Sequence, residues 1–299
     1  MPNTQDIRRR IKSVKSTSQI TKAMELVAAS KMKKAQDQAL AGRPYADLLN
    51  KVLVNLKRET EEEMHPLLKE RAGGREMFLV ITTDKGLCGP LNTNLLRELT
   101  DKASEDAQYV TAGTKGSQAL SRLKKDLVAE FSLSDPVEFL EVRPIAKLLT
   151  EQFLSGDVST VRVAFTNFIS TLSQEPMIET LLPIRSIDLG RDKDFVGMGN
   201  AEDLPPITGE GPGAGGYEFE PTPATVLDYI LPRYIALQIY QMVLESRASE
   251  HSARMVAMKS ATDNANELIK DLTLEYNKLR QAAITNELLE ITTAMKALE

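Results

Sequence analysis

The sequence predicts an α/β protein in which the N- and C-terminal helices form a long antiparallel coiled coil with an α/β domain inserted between them. Three observations carry this. From Arg233 to Glu299 the chain has neither glycine nor proline; as one helix this stretch is roughly 100 Å long at 1.5 Å per residue. A second such stretch runs from Asn3 to Ala41. Between them, apolar runs of strand length alternate with segments of helical spacing. The first helix runs into the middle of the chain and the last runs out of it, so the two lie antiparallel if they leave the same insert. The expected divisions are a coiled-coil helix over 1–63, an α/β domain over 74–189, a Gly/Pro-rich loop over 190–223 and a coiled-coil helix over 224–299.

The first helix carries two stripes. Ile7, Ile11, Val14, Ser18 and Thr21 follow a 4-3 spacing, and Ile20, Met24 and Val27 make a neighbouring one. Ala28, Ala29 and Ser30 are small enough for another backbone to approach closely. Gly42 and Pro44 predict a kink or break, because proline removes a donor and clashes with the preceding turn. Helical spacing resumes from Tyr45 to about Glu63.

In the middle, the run Met77-Phe78-Leu79-Val80-Ile81-Thr82 reads as a strand covered on both faces. Leu95, Leu96, Leu99 and Ala103 read as helix, Tyr109-Val110-Thr111 as strand, and Gly113 to Lys125 as turn plus helix. Pro144 opens a helix carrying Ile145, Leu148, Leu149 and Phe153. Val161, Val163 and Phe165 alternate as a strand, and Leu181 to Leu189 reads as another. This alternation predicts a parallel, doubly wound, Rossmann-like sheet. Gly190 to Pro223 holds half of the chain's 16 glycines and reads as a surface loop or linker.

Along the last helix, Leu244, Ala248, His251, Met255, Met258, Thr262, Ala265, Ile269, Leu272, Tyr276, Leu279 and Ala283 hold an alternating 4-3 spacing, the a/d repeat of a coiled coil. After Ala283 the phase slips by one, to Ile284, Leu288, Ile291, Met295 and Leu298. A slip turns the apolar stripe around the helix, so the last turns face something other than the first helix.

Composition narrows the function classes. Hydrophobic content of 42% supports an ordinary core, and aromatics at 5% with no Trp suit packing by aliphatics. No apolar run reaches membrane-spanning length, and the first residues fit no secretory signal. A single cysteine, Cys88, excludes an internal disulfide and fits a reducing compartment. The net charge of −5 is unevenly placed. Arg8, Arg9, Arg10, Lys12, Lys15, Lys22, Lys31, Lys33 and Lys34 crowd the first helix. A solvated face, nucleic acid, an anionic membrane surface and an acidic protein partner all fit such a helix. The acidic sequence pI of about 5.4 weighs against nucleic acid, as does the lack of an aromatic residue before Pro44 to stack on bases.

Candidate chemistry is sparse. Gly113-Thr114-Lys115-Gly116 follows a strand, but its glycine spacing matches neither a P-loop nor the dinucleotide fingerprint. Asp84-Lys85-Gly86-Leu87-Cys88-Gly89 resembles a cysteine-nucleophile loop, yet neither His65 nor His251 is near it in sequence, and a lone cysteine after a buried strand reads as packing. Two histidines and one cysteine without clustering offer no zinc set.

The terminal helices carry more specific signals. The first reads Ile20-Thr21-Lys22-Ala23-Met24-Glu25-Leu26-Val27-Ala28-Ala29-Ser30-Lys31. The last holds Glu250, Ala253-Arg254-Met255-Val256-Ala257-Met258, Ala261-Thr262-Asp263-Asn264-Ala265, Arg280-Gln281-Ala282 and Ile284-Thr285-Asn286-Glu287-Leu288-Leu289-Glu290-Ile291. With the Asp84–Gly89 motif, the whole chain closely resembles the gamma subunits of F-type ATP synthases. It departs from them at Pro90, where a second glycine is usual, and at Thr292-Thr293-Ala294, where a glycine-containing pair is usual.

The resemblance implies a central rotor shaft that couples ion-driven rotation of a c-ring to ATP synthesis or hydrolysis at the beta-subunit sites, itself non-catalytic and without a cofactor. Implied partners are the alpha3beta3 hexamer, the epsilon subunit and the c-ring, without nucleic acid and with membrane contact only through Fo. The implied location is the cytoplasmic face of the bacterial cell membrane. Carried over by position, Lys22, Met24, Arg254, Gln281, Thr285, Glu287 and Glu290 fall at rotor–stator contacts. Two other readings compete: an enzyme with a Rossmann-like domain on a coiled-coil arm, and a nucleic-acid-binding coiled-coil factor.

Overall fold

The computed structural model describes residues 4–59, 65–71, 73–184, 220 and 222–298. Helix α1 spans Thr4–Glu59 and α5 spans Pro223–Leu298. Between them lie β1 (Arg75–Ile81), α2 (Leu91–Lys102), β2 (Gln108–Ala112), α3 (Thr114–Arg122), β3 (Asp126–Phe131), α4 (Phe139–Ser155), β4 (Val158–Phe168) and β5 (Gln174–Leu182). The chain divides into two compact units. One is 1–28 with 254–299, the other 29–253.

The first unit is a helix pair. Ile7, Ser18, Thr21 and Ala28 of α1 are buried, as are Met258, Thr262, Ala265 and Leu272 of α5. Ile11, Val14, Ile269, Tyr276 and Leu279 are half-buried. The register is antiparallel: Thr21 meets Thr262, and Ser18 meets Asn266. The first α1 stripe is therefore the seam. Ile20 and Val27, of the neighbouring stripe, are 57% and 56% exposed.

The second unit is a three-layer α/β domain with strand order β3-β2-β1-β4-β5. The four strands β1 to β4 are parallel, and β5 is antiparallel to β4. On one face, Phe78, Val80 and Tyr109 pack against Leu95 and Leu99 of α2 and Leu120 of α3. On the other, Met77, Leu79, Val161 and Phe165 pack against α4 and α5 and against Leu49, Leu53 and Leu56 of α1. That two-sided cover explains why β1 reads as an unbroken apolar run.

Several expectations need correction. Helix α1 continues through Gly42 and Pro44 instead of breaking there. The buried Leu49, Leu53 and Leu56 hold the following turns on the core, and tertiary packing of an apolar face outweighs the loss of one helical hydrogen bond. Helix α4 starts at Phe139, so Pro144 lies inside it. The last strand is Gln174–Leu182 and runs antiparallel; the short link from Phe168 to Gln174 leaves no room for the crossover that a parallel neighbour needs. Residues 185–189, expected to extend it, lie outside the described residues, as does the loop over 190–219. Strand β3 was not expected at all. It is an edge strand whose Leu127, Ala129 and Phe131 are half-buried while Asp126, Val128 and Glu130 are exposed.

Candidate functional site

The expected contact residues lie on both helices of the first unit. Lys22 is exposed and pairs with Glu25 at 3.0 Å. Met24 and Arg254 are half-buried, whereas Gln281, Thr285, Glu287 and Glu290 are exposed. The helix pair thus leaves most of them on its outer surface, where they can meet another chain. It brings together a different set, the seam residues. Ile284, Leu288, Ile291 and Met295, beyond the phase slip, are all at least half exposed. Carrying the Thr21–Thr262 register along α1 places Thr4 opposite about residue 279. These last aliphatics therefore have no turn of the described α1 opposite them.

The second unit contains the crevice at the carboxyl ends of the parallel strands, where open α/β sheets hold ligands. Here α5 occupies it. Val243, Ser246, Arg247 and Glu250 line the same small cavity as Thr82, Thr83, Ala112, Leu133 and Thr166. The glycine loop after β2 is also committed inward. Gly113 N–H donates to Phe131 O at 3.1 Å, and Lys115 N–H donates to Thr83 O at 3.0 Å. Thr114 N–H donates to Asp84 Oδ1 at 3.2 Å, and Gly116 N–H donates to Thr82 Oγ1 at 2.9 Å. A phosphate cradle needs such amides aimed outward at one point. Gly113 adopts φ +120°, and a Cβ there would stand 2.2 Å from Thr82 O. Its glycine is demanded by close backbone approach, not by a ligand.

Sequence reasoning missed the polar system that fills this crevice. Arg247 is 8% exposed. Its guanidinium donates to Glu250 Oε2 at 2.8 Å, to Asp84 Oδ2 at 3.1 Å and to Leu133 O at 3.2 Å. Burial works against its charge, but Glu250 and Asp84 outweigh that and raise its pKa above the ordinary arginine value. A row of α5 side chains also caps β4. Pairing with β1 ends at Val80–Ala164, so the edge of β4 beyond that point needs other partners. Thr166 N–H donates to Ser246 Oγ at 3.3 Å, Ser249 Oγ donates to Thr166 O at 3.2 Å, and Phe168 N–H donates to Glu245 Oε2 at 3.2 Å. Ser252 Oγ donates to Thr171 O at 2.8 Å. The four α5 residues follow helical spacing and are all buried, a pattern legible only as an oddly polar stretch in a buried helix.

Asp135, after β3, receives Lys31 Nζ at 2.7 Å and lies 3.4 Å from His251 Nε2. Burial works against its ionisation, but the Lys31 hydrogen bond and the nearby His251, Lys31 and Arg247 prevail and lower its pKa. Cys88 is buried beside Asn92 and Thr83, with Asn92 Nδ2 at 3.6 Å from its sulfur. That is a packing environment. Among the described residues, no three His, Cys, Asp or Glu side chains are grouped to hold a metal ion. No described helix is long and apolar enough to cross a membrane.

A family model described as ATP synthase matches residues 3–298. The ATP synthase gamma chain of Opitutus terrae is 50% identical over 99% of both chains. That of Akkermansia muciniphila is 47% identical over the full length of both. Among solved structures, a chain of the central stalk and c-ring assembly of Tetrahymena thermophila mitochondrial ATP synthase aligns with TM-score 0.58 and 28% identity. It covers 81% of this chain and 99% of that one. A chain from the OSCP/F1/c-ring of the Euglena gracilis mitochondrial enzyme aligns with TM-score 0.65 at 19% identity, over 99% and 94% of the two chains. The latter likeness concerns the fold.

Proposed function

This chain belongs to the ATP synthase gamma-chain family, and on that premise we propose that it is the central rotor shaft of an F1 sector. It couples ion-driven rotation of a c-ring to ATP synthesis or hydrolysis on the beta subunits and does no catalysis itself. The observation that carries this reading is the antiparallel seam of α1 and α5, with an apolar end of α5 extending past α1. A shaft needs a stiff helix pair and a tip that can sit in a surrounding sleeve. The partners are the alpha3beta3 hexamer, epsilon and the c-ring, at the cytoplasmic face of the bacterial membrane. Lys22, Met24, Arg254, Gln281, Thr285, Glu287 and Glu290 are assigned to rotor–stator contact, which their exposure or partial exposure permits. The basic face of α1 is assigned to acidic segments of beta.

The test is to tag the chain at its genomic locus, purify it, and assay inverted membrane vesicles. Alpha, beta, epsilon and c subunits are expected to copurify, and deletion of the gene is expected to abolish ATP-driven proton pumping. Purification of the chain alone, with pumping intact in the deletion strain, would overturn the reading.

A further inference from the structure

We propose that Arg247 is the positioning residue of a torque joint, fixing α5 to the carboxyl edge of the α/β domain so that turning the domain turns the helix without slip. The inference rests on the rotor reading and goes beyond it by locating where the twist is handed over.

The geometry is that of a fastening. The Arg247 guanidinium reaches the loop after β1 through Asp84 and the segment after β3 through Leu133 O. Asp84 also accepts from Thr114 N–H at the start of α3, directly after β2. The end of β4 is held by Glu245, Ser246 and Ser249. The carboxyl ends of all four parallel strands are thus tied to one short stretch of α5. From that stretch α5 continues as a single helix to Leu298.

Burial makes this tie stiffer than the ion pair that joins α1 to the same domain. Exposed ion pairs are weak and rearrange easily. The Lys31–Asp135 pair, which ties α1 to the loop after β3, has side chains 44% and 31% exposed. The Arg247 side chain is 10% exposed, against 44% for Lys31, and its acceptors are Asp84 (29% exposed), Leu133 O and, on α5 itself, Glu250 (6% exposed); hydrogen bonds in a largely buried network polarise and reinforce one another. Arginine suits the position because its planar fork addresses separate acceptors at fixed angles, which a lysine ammonium does not. A joint with this fork removed still packs, through Val243 and Leu244, but it yields under load. Part of each rotational step is then taken up as strain between α5 and the sheet instead of being delivered along the helix.

The experiment uses the assembled enzyme in inverted vesicles carrying Arg247→Met, Arg247→Lys or Asp84→Asn. Three quantities are measured: gamma content by immunoblot, ATP hydrolysis, and proton pumping per ATP hydrolysed. Expected for Arg247→Met is gamma content near that of the unaltered enzyme, with more than half of the pumping per ATP lost. Asp84→Asn, which removes the charged partner outside α5 while keeping its shape, is expected to lower the same ratio. Arg247→Lys is expected to retain more of it than Arg247→Met. Pumping per ATP unchanged in both Arg247→Met and Asp84→Asn overturns the proposal. So does a parallel fall of gamma content and pumping in every variant, including complete loss of the chain from the membrane, because Arg247 would then serve folding alone. Failure of the rotor reading is distinguishable, since vesicles with the unaltered chain would then show no pumping dependent on it.

Discussion

Thr21 and Thr262 meet hydroxyl to hydroxyl at 2.7 Å in the buried seam between α1 and α5. Each also has a helical carbonyl within reach, Ser18 O at 3.1 Å and Met258 O at 2.8 Å. A polar layer of this kind fixes the register of a helix pair at some expense of stability. Thr21→Val with Thr262→Val is expected to leave the urea midpoint of the chain unchanged or raised. Thr21→Val alone should destabilise it by about 1 kcal/mol, because one buried hydroxyl loses its cross-helix partner. A double variant less stable than either single variant contradicts this account.

Leu272 is nearly fully buried in the seam, whereas Met295 is 66% exposed. Leu272→Asp places a charge among apolar side chains and is expected to cost about 3 kcal/mol or more. Leu279→Asp, at a half-buried position, is expected to act in the same direction and less strongly. Immunoblots of washed membranes should show gamma lost in the first case and reduced in the second. Removing residues from Met295 onward should leave assembly and some turnover. Loss of assembly on that truncation, with both aspartates tolerated, refutes the division between seam and tip.

Met24 is half-buried on a helix whose neighbouring Lys22 is already engaged with Glu25. Met24→Lys adds a cation to the face assigned to acidic stator segments. Single exposed pairs contribute about 1 kcal/mol at most, too little to affect assembly but enough to hinder steps in which that pair must break. Expected is normal gamma content with less proton pumping per ATP hydrolysed. Full coupling in vesicles of this variant argues against stator contact at Met24.

His65 gives the α/β domain a defined acid sensitivity. Its Nε2 contacts Asp228 Oδ1 at 2.9 Å, and its Nδ1 accepts Leu67 N–H at 3.1 Å. Burial lowers its pKa below the ordinary 6.5, with the Asp228 charge and hydrogen bond opposing that shift. The neutral ring is therefore favoured in the folded chain. Its contribution is complete above pH 6.5 and is lost as pH falls through the lowered value, where the ring is protonated and Nδ1 no longer accepts. Thermal melting of the unaltered chain is expected to drop between pH 7.5 and pH 5.5 by more than that of His65→Gln. Equal drops in the two proteins would remove His65 as the cause.

What could be read from the sequence follows the range of each interaction. The repeat expected from Leu244 to Ala283 was legible because a 4-3 spacing is local; its members are buried, or half-buried at Met255, Ile269, Tyr276 and Leu279, except the exposed Ala283, and His251 faces Asp135 of the α/β domain instead of α1. Strand β1 was legible because both of its faces are covered. The break expected at Gly42 and Pro44 failed because local propensity there is overruled by Leu49, Leu53 and Leu56 further along. Strand β3 escaped because its short, half-exposed alternation differs little from a surface loop. The Arg247 system was invisible for a stronger reason: its bond to Asp84 spans 163 positions and that to Leu133 spans 114. No periodicity announces such a pairing; only the fold brings the partners together.

The unaccompanied end of α5 has a thermodynamic corollary. Its turns expose Ile284, Leu288, Leu289, Ile291 and Met295 with no described α1 turn to cover them. On the proposed shaft reading, a surrounding sleeve covers them. That enclosure removes apolar surface from water and carries a negative heat-capacity change. A heat-capacity signature of tip burial is therefore expected on assembly and not in the melting of the lone subunit.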